Sequence, residues 1–241
     1  MKNHVKIEES YLFMWLLTFI GGYSNGYSYL TRDGAFVSFQ TGNIAKVGLS
    51  VVMGNRDMLL SSLLPICAAL LGAILAQLLK TIFSKKSVKF WQETALIIEL
   101  AAFFIVGCLP KTCSNNAVVF FMAITTMFQL SNFRILNGSV HNTTIETGNL
   151  RTVGQYIGEF LWQRDWASLK KALYYFAVFI AFPLGVAAGG WISATIGAYA
   201  IWLCCVLLVA LLLLFQKSKV MESEKAQAEM RISAATPSKA F

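Results

Sequence analysis

The chain has 241 residues, of which 56% are hydrophobic and only 13% are charged. A soluble domain needs more charge on its exterior, so this composition excludes an ordinary soluble enzyme or nucleic-acid-binding domain. The net charge of +8 comes from short loops between apolar runs and from the C-terminal end, where basic residues act as topology signals and contact anionic lipid headgroups. The composition predicts a polytopic, all-α integral membrane protein.

Six apolar runs approach or reach the roughly 20 residues that a helix needs to cross a bilayer. In chain order they cover approximately residues 11–30, 59–82, 93–109, 117–136, 172–191 and 194–215. The third run is short, so its helix is expected either to tilt little or to begin near Lys89. Residues 1–10 form a polar N-terminus and residues 11–215 the membrane domain. Residues 216–241 form a basic tail that we expect to be disordered beyond a short helical extension.

Two further segments, 36–53 and 145–162, are harder to interpret. The first is long enough to be a seventh span, but its counterpart carries Glu146, Arg151 and Glu159. A charge at mid-membrane costs on the order of 2.5–3.5 kcal/mol on the insertion scale. We therefore expect these segments to be broken or re-entrant helices rather than full crossings.

The basic residues support this number of crossings. If both extra segments cross the bilayer, the lysine cluster at 80–89 faces outward; if neither crosses, the cluster faces the cytoplasm with the basic ends of the chain. With six spans, only four basic residues face outward: Arg32, Lys46, Arg56 and Lys111. Because cytoplasmic loops carry an excess of Lys and Arg, the pattern predicts six spans with both termini in the cytoplasm.

The two extra segments share a Thr-Gly-Asn tripeptide, at residues 41–43 and 147–149. Each copy follows a run that contains an asparagine, and each precedes an Arg-Asp pair and a run with a central glycine. This shared context predicts a duplicated unit, covering about residues 11–109 and 117–215. Three spans per unit is an odd number, so the second unit is inverted in the membrane. Inverted repeats with broken helices are a common plan of transporters, with the substrate site near the midplane.

The stretch Gly-Tyr-Ser-Asn at 22–25, followed by Phe36 and then by the first Thr-Gly-Asn, resembles the YoaK-type family of uncharacterised bacterial membrane proteins. The resemblance extends from about residue 11 to residue 215 and includes the second Thr-Gly-Asn. It implies a helical architecture and a membrane location, and it implies no substrate. The chain departs from the family pattern at Asn25, where members often carry an acidic residue. Coupling to protons or cations through that position is therefore not implied here.

Each Thr-Gly-Asn motif is predicted to open a half-helix, because Thr and Asn are good N-caps and Gly permits a tight turn. Two such N-termini meeting inside the protein would present free N–H groups and positive dipole ends to an anion or a polar neutral solute. Alternatively, the motifs only cap and pack two short helices. The predicted site residues are Thr41, Gly42, Asn43, Thr147, Gly148 and Asn149, together with Asn25, Asn132, Gln40 and Glu146.

Glu99 lies inside the third apolar run, where an unpaired carboxylate is costly, so we expect it to be paired, protonated or facing water. Arg134, near the end of the fourth run, is its predicted partner, either in a packing ion pair or as a coupling group. Small residues such as Gly72, Gly185 and Gly189 predict close contacts between helices, within the chain or in a homodimer.

No motif of a catalytic, cofactor or metal site is present, since His4 and His141 stand alone and the five cysteines form no zinc or disulfide pattern. We therefore predict a small-solute transporter or channel, with a possible preference for anions, in the bacterial cytoplasmic membrane. Its partners are the lipid bilayer and the solute, and nucleic acid is not among them. One alternative is a non-transporting membrane protein that binds a protein or lipid. Another is a membrane-embedded enzyme with Glu99 or Glu146 as its base.

Overall fold

The computed structural model describes residues 6–110, 112–136, 139–140 and 146–235. The sequence-based interpretations of His4, Lys111 and His141 lie outside these residues. The described chain is helical apart from short connections and one antiparallel pair of two-residue strands, β1 (Ile135–Leu136) and β2 (Ser139–Val140). The fold is therefore all-helical in character, as the sequence predicts.

Eight α-helices follow one another in the described part of the chain, and six of them overlap the predicted apolar runs. Their bounds are α1 (Tyr11–Thr31), α2 (Gln40–Met53), α3 (Arg56–Ile82), α4 (Val88–Cys108), α5 (Asn115–Asn132), α6 (Glu146–Gln163), α7 (Trp166–Ile196) and α8 (Trp202–Ala235). A 3-10 turn, Gly197–Ile201, separates α7 from α8. Helix α4 begins next to Lys89, as expected from the sequence. Helix α8 continues to Ala235, so helix occupies much of the segment for which we expected a disordered tail.

The described residues include three helical stretches that are long and apolar enough to cross a membrane: Arg56–Ile82, Val88–Cys108 and Trp166–Glu224. The last stretch contains α7, the 3-10 turn and most of α8. Large apolar side chains also cover the outside of the molecule, where Val52 is 87% exposed and Trp191 is 75% exposed. Apolar patches on this scale mark a surface that water does not cover in the working state. The chain therefore has the character of a membrane protein.

The helices pack in a definite set of pairs. The most extensive contacts join α1 to α7 and α3 to α5. Each shorter helix lies against the long helix that follows it, α2 on α3 and α6 on α7. Helix α4 contacts α5 and α8, and α8 also contacts α1. The short connections at residues 54–55 and 164–165 explain why α2 and α6 fold back onto their successors.

Glycines allow the two main helix pairs to approach closely. A Cβ atom at Gly189 of α7 would overlap the backbone of Tyr23 in α1, and in α3 a Cβ at Gly72 would lie 2.6 Å from the carbonyl oxygen of Ile124 in α5. Gly22, Gly26 and Gly185 face the opposite backbone of the α1–α7 pair in the same way. The predicted close contacts at Gly72, Gly185 and Gly189 are therefore found within the chain.

Asp165 lies directly before α7 and caps its N-terminus. Its Oδ1 accepts a hydrogen bond from the Ala167 N–H at 2.9 Å, and its Oδ2 accepts from the Ser168 N–H at 3.1 Å and the Ser168 hydroxyl at 2.9 Å. These bonds, led by the one from Ala167, hold the pKa of the Asp165 carboxyl below its ordinary value of 3.8. The ionised form of Asp165 is therefore favoured in the folded protein.

Replacing Asp165 by alanine is expected to lower the thermal unfolding midpoint at neutral pH, because α7 loses its N-cap. Since the folded-state pKa is depressed, the stabilisation is complete above pH 3.8 and is lost as the pH falls below that value. Wild type and variant should therefore converge in acid, which thermal unfolding at a series of pH values measures. Asp165→Asn keeps an oxygen acceptor and should remove the pH dependence. A deficit of Asp165→Ala that is equal at every pH would contradict a role of the charge.

Candidate functional site

The two Thr-Gly-Asn motifs lie in the first turns of the two short helices. Helix α2 begins at Gln40 and α6 at Glu146, one residue before each threonine. The N-cap of α2 is Phe39, which makes no capping hydrogen bond through its side chain. The prediction that Thr41 or Asn43 caps this helix is therefore wrong. Thr41 and Thr147 are both exposed rather than buried in a site.

Asn43 is the buried member of the first motif, with 1% of its surface exposed. Its Nδ2 donates to the carbonyl oxygen of Phe36 at 2.8 Å and to Oε1 of Gln40 at 3.0 Å. Gln40 in turn donates to the carbonyl oxygen of Val37 at 3.1 Å. Gly42 is needed beside them because a Cβ there would lie 2.5 Å from the Phe39 ring. These bonds tie the start of α2 to the linker that precedes it.

The second motif repeats part of this arrangement. Asn149 is buried, and its Nδ2 donates to Oε2 of Glu146 at 3.0 Å. The asparagine thus contacts the first residue of its helix in α6 just as Asn43 contacts Gln40 in α2. Gly148 is exposed. The equivalence of Gln40 and Glu146 that the sequence indicates is therefore present in the hydrogen bonds.

Asn25 holds the linker between α1 and α2 in place. Its Nδ2 donates to Oγ of Ser38 at 2.6 Å and to the carbonyl oxygen of Gly21 at 3.0 Å, and its Oδ1 accepts from the Ser38 N–H at 3.1 Å. Asn132 is different, since its Nδ2 donates to the carbonyl oxygen of Phe128 within its own helix, at 2.8 Å. The sequence pairs these two asparagines, whereas the structure gives them different partners.

The two short helices do not pack on each other in the described part of the chain. Helix α2 packs on α3 and α6 packs on α7, and α2 and α6 share no extended contact. The short connection after each helix directs it onto its own long neighbour. A single site formed by both motifs stays a prediction.

Glu99 and Arg134 are not partners. Glu99 is fully buried, and neither of its carboxylate oxygens has a hydrogen-bond partner among the described residues. Arg134 is exposed beyond the end of α5. A short loop joins α4 to α5, and depth can be measured from this loop at roughly 1.5 Å per residue. On this measure Glu99 lies about 14 Å from the loop along α4, and Arg134 lies about 28 Å from it in the direction of α5. This difference in depth excludes the predicted ion pair.

A polar cavity of about 670 Å³ lies between the end of α1, helix α2 and the start of α3. Asn43 is the one Thr-Gly-Asn residue on its wall. The other polar residues that line it include Arg32, Asp33, Lys46, Asn55, Asp57, Ser61, Ser62 and Asn116. Arg32 and Lys46 entered the sequence analysis only as topology charges. Their positions, immediately after the first apolar run and inside the first extra segment, are the signal that could have identified them.

Arg32 is 4% exposed, although it carries a full positive charge. Its Nη1 donates to Oδ1 of Asn115 at 3.1 Å and its Nη2 donates to the hydroxyl of Tyr27 at 3.0 Å. Its Nε is buried and has no hydrogen-bond partner in the described structure. Asn115 also donates to the Asp33 carboxylate, at 2.8 Å. Arg32 itself has no carboxylate within 4.0 Å among the residues that the structure describes.

Lys46 is the second cation on the cavity wall. Its Nζ donates to the carbonyl oxygen of Gly34 at 2.8 Å and lies 4.5 Å from the centre of the Phe36 ring. No described carboxylate lies within 4.0 Å of it. Partial burial lowers the pKa of the Lys46 ammonium, because desolvation disfavours its charged form. The cavity thus presents a guanidinium and an ammonium that can both bind a negatively charged group.

Apolar outer surfaces, helices of spanning length and a polar cavity at a helix break together define a helical protein of the membrane class. The chain belongs to the family described as "Protein of unknown function (DUF1275)", whose model matches residues 13–214. No curated protein and no solved structure matches the chain.

Proposed function

We propose that the protein is a transporter or channel for a small solute that carries a negative group, and that the Arg32–Lys46 cavity is its binding site. The observation that carries this proposal is the pair of cations on a 670 Å³ cavity wall, neither of which has a described carboxylate within 4.0 Å. Small-molecule sites typically occupy about 300–1,000 Å³. A guanidinium fork with an adjacent ammonium suits a carboxylate or oxyanion. The proposal assigns no catalytic chemistry to the chain.

The helix pairing supports an origin in two inverted repeats. The repeat relates α1 to α5, α2 to α6, α3 to α7 and α4 to α8. This exchange converts the α1–α7 pair into the α5–α3 pair. The same exchange converts α2–α3 into α6–α7 and α4–α5 into α8–α1, and all of these pairs occur. A duplicated unit with three crossings in each copy has this property. The proposed broken helices in this arrangement are α2 and α6.

A topology of six spans with both termini in the cytoplasm accompanies this arrangement. Helices α1, α3, α4, α5, α7 and α8 would cross, and the positive-inside pattern supports their direction. The apolar stretch Trp166–Glu224 would be about 88 Å long as one straight helix, far more than the roughly 30 Å of a bilayer core. Gly197, with a φ of 65°, allows the chain to change direction between α7 and α8. The YoaK-type resemblance supports a bacterial cytoplasmic membrane as the location.

Binding to the purified full-length protein tests the proposal. Thermal unfolding in detergent would be measured with small carboxylates and oxyanions and with neutral analogues of the same size. A ligand at 100 times its Kd should stabilise the protein by about 2.7 kcal/mol. The Arg32→Gln and Lys46→Met variants should each weaken that binding about tenfold or more, since hydrogen bonds to charged groups contribute about 1.5–3 kcal/mol. Flux of the same ligand into proteoliposomes would then be measured.

Lys85→Met is the matched control, because Lys85 is exposed and does not line the cavity. It should bind the ligand as wild type does. If no anionic solute binds, or if the control loses binding as fully as Lys46→Met, the cavity is not the site. The alternative, a non-transporting protein that binds a protein or lipid partner, would then be favoured.

A further inference from the structure

A second polar cavity, of about 320 Å³, lies at the other end of the α3–α5 pair. The first cavity is lined by the start of α3 and the start of α5, whereas the second is lined by Lys80 near the end of α3 and by residues 131–135 at the end of α5. The start of α4 and the N-terminal segment close it. Gln92 of α4 donates to the carbonyl oxygen of Asn132 at 3.4 Å and joins two of its walls.

Six charged side chains of the described residues line this second cavity: Lys6, Glu8, Glu9, Lys80, Lys89 and Arg134. Both acids are already matched by two of the lysines. Glu8 lies 3.4 Å from Lys89, and Glu9 lies 3.8 Å from Lys6. Lys89 has a further carboxylate partner in Glu222, at 2.7 Å. The pairing of these groups leaves two cations on the wall.

Those two cations are Lys80 and Arg134. The Nζ of Lys80 donates to the carbonyl oxygen of Ser131 at 3.0 Å, which leaves two of its three N–H donors for another acceptor. Neither cation has a carboxylate within 4.0 Å among the described residues. The chain segments 1–5 and 137–145 contain no Asp or Glu that could supply one. Among the described residues, the cavity therefore has two positive charges that face a common space and have no carboxylate within 4.0 Å.

We propose that this cavity is a second anion site, in which Lys80 and Arg134 bind a phosphate-type oxyanion. An arginine fork and a lysine ammonium are the side chains that bind phosphate oxygens in proteins. With both chain ends in the cytoplasm, the cavity opens on the cytoplasmic side, where basic pockets between helices bind anionic headgroups. The phosphate group can belong to free phosphate or to a lipid headgroup. This inference concerns residues outside the Arg32–Lys46 cavity and does not depend on transport.

Phosphate binding to the full-length protein in phosphatidylcholine nanodiscs tests the inference, with calorimetry at constant ionic strength as the measurement. The double variant Lys80→Gln/Arg134→Gln should bind phosphate about tenfold more weakly or worse than wild type. In a second arm, phosphatidylglycerol is added to the nanodiscs. If the headgroup is the occupant, this lipid raises the thermal midpoint of wild type but not of the double variant, and it suppresses the response to phosphate. If free phosphate is the occupant, the lipid changes neither.

Lys85→Gln/Lys86→Gln is the matched control, since it removes the same charge from exposed lysines outside the cavity. It should respond to phosphate and to phosphatidylglycerol as wild type does. A double variant at Lys80 and Arg134 that responds like this control would overturn the inference, as would the absence of any response in wild type. If Arg32→Gln loses phosphate binding and the Lys80 and Arg134 double variant keeps it, the second site is overturned and the proposed function stands. If the double variant loses phosphate binding and Arg32→Gln keeps it, the result supports the second site alone.

Discussion

Replacing Gly189 by alanine is expected to destabilise the protein by about 2–3 kcal/mol, the upper range for overpacking a well-packed interface. The new Cβ would overlap the backbone of Tyr23 in α1. A clash with helix backbone cannot be relieved by a change of rotamer, so α1 and α7 would have to move apart along their whole contact. Thermal or denaturant unfolding of the purified protein in detergent measures the effect.

Gly190→Ala is a matched control one residue away in the same helix. A Cβ at Gly190 would approach only a methyl carbon of Leu30, at 3.6 Å, which is an ordinary contact. Alanine is also preferred over glycine in a helix by about 1 kcal/mol, so this variant should be as stable as wild type or more stable. Equal stabilities of the two variants would show that α1 and α7 do not approach as closely as the structure has them.

Asn25→Ala is expected to cost about 3 kcal/mol, because it removes three hydrogen bonds at a buried position and leaves unsatisfied groups that each cost about 1–3 kcal/mol. The groups left without a partner are the N–H and the hydroxyl of Ser38, both held by Asn25 in the wild type. The linker that leads into α2 would lose its two hydrogen bonds to Asn25 and keep the one that Ser28 of α1 donates to the carbonyl oxygen of Ala35. We expect increased hydrogen exchange in residues 35–39 together with a lower midpoint of unfolding.

Asn132→Ala serves as the comparison for this prediction. Asn132 precedes the second Thr-Gly-Asn motif as Asn25 precedes the first, but its described hydrogen bond goes to the carbonyl oxygen of Phe128 in its own helix. Hydrogen bonds of this kind in membrane proteins contribute about 0.6 kcal/mol on average, so the loss should be small. A loss at Asn132 as large as the loss at Asn25 would contradict the unequal roles that the structure gives them.

The helices were predictable because their signal is local. Apolar runs of the right length mark α1, α3, α4, α5, α7 and α8. Polar residues cap four of these helices, Ser10 before α1, Asn55 before α3, Ser87 before α4 and Asp165 before α7. The start of α4 near Lys89 follows from the minimum length of a spanning helix. The close approach at Gly189 follows from small residues on one face of a helix. Each of these conclusions needs only neighbouring residues and a single physical rule.

The candidate site was less predictable because it depends on relations between distant elements. A partner of Glu99 must lie at the same distance from the α4–α5 loop as Glu99 does. Opposite charges in the sequence do not show whether two residues meet this condition. The meeting of the two Thr-Gly-Asn motifs depends on which long helix each half-helix packs against. Arg32 and Lys46 line one cavity because α1 ends where α2 folds back. Their shared role emerges only from that geometry.

The interleaved pairing also determines which parts of the chain form folding units. Helix α1 from the first half packs on α7 from the second, and α3 from the first half packs on α5 from the second. A fragment that ends in the loop at residues 109–114 would therefore expose the glycine faces of α1 and α3 to lipid with no helix to cover them. Neither half is a self-sufficient module, and completion of the α1–α7 pair has to wait until the second half has been synthesised and inserted. The α1–α7 pair and the α3–α5 pair each contain one helix from either half of the sequence.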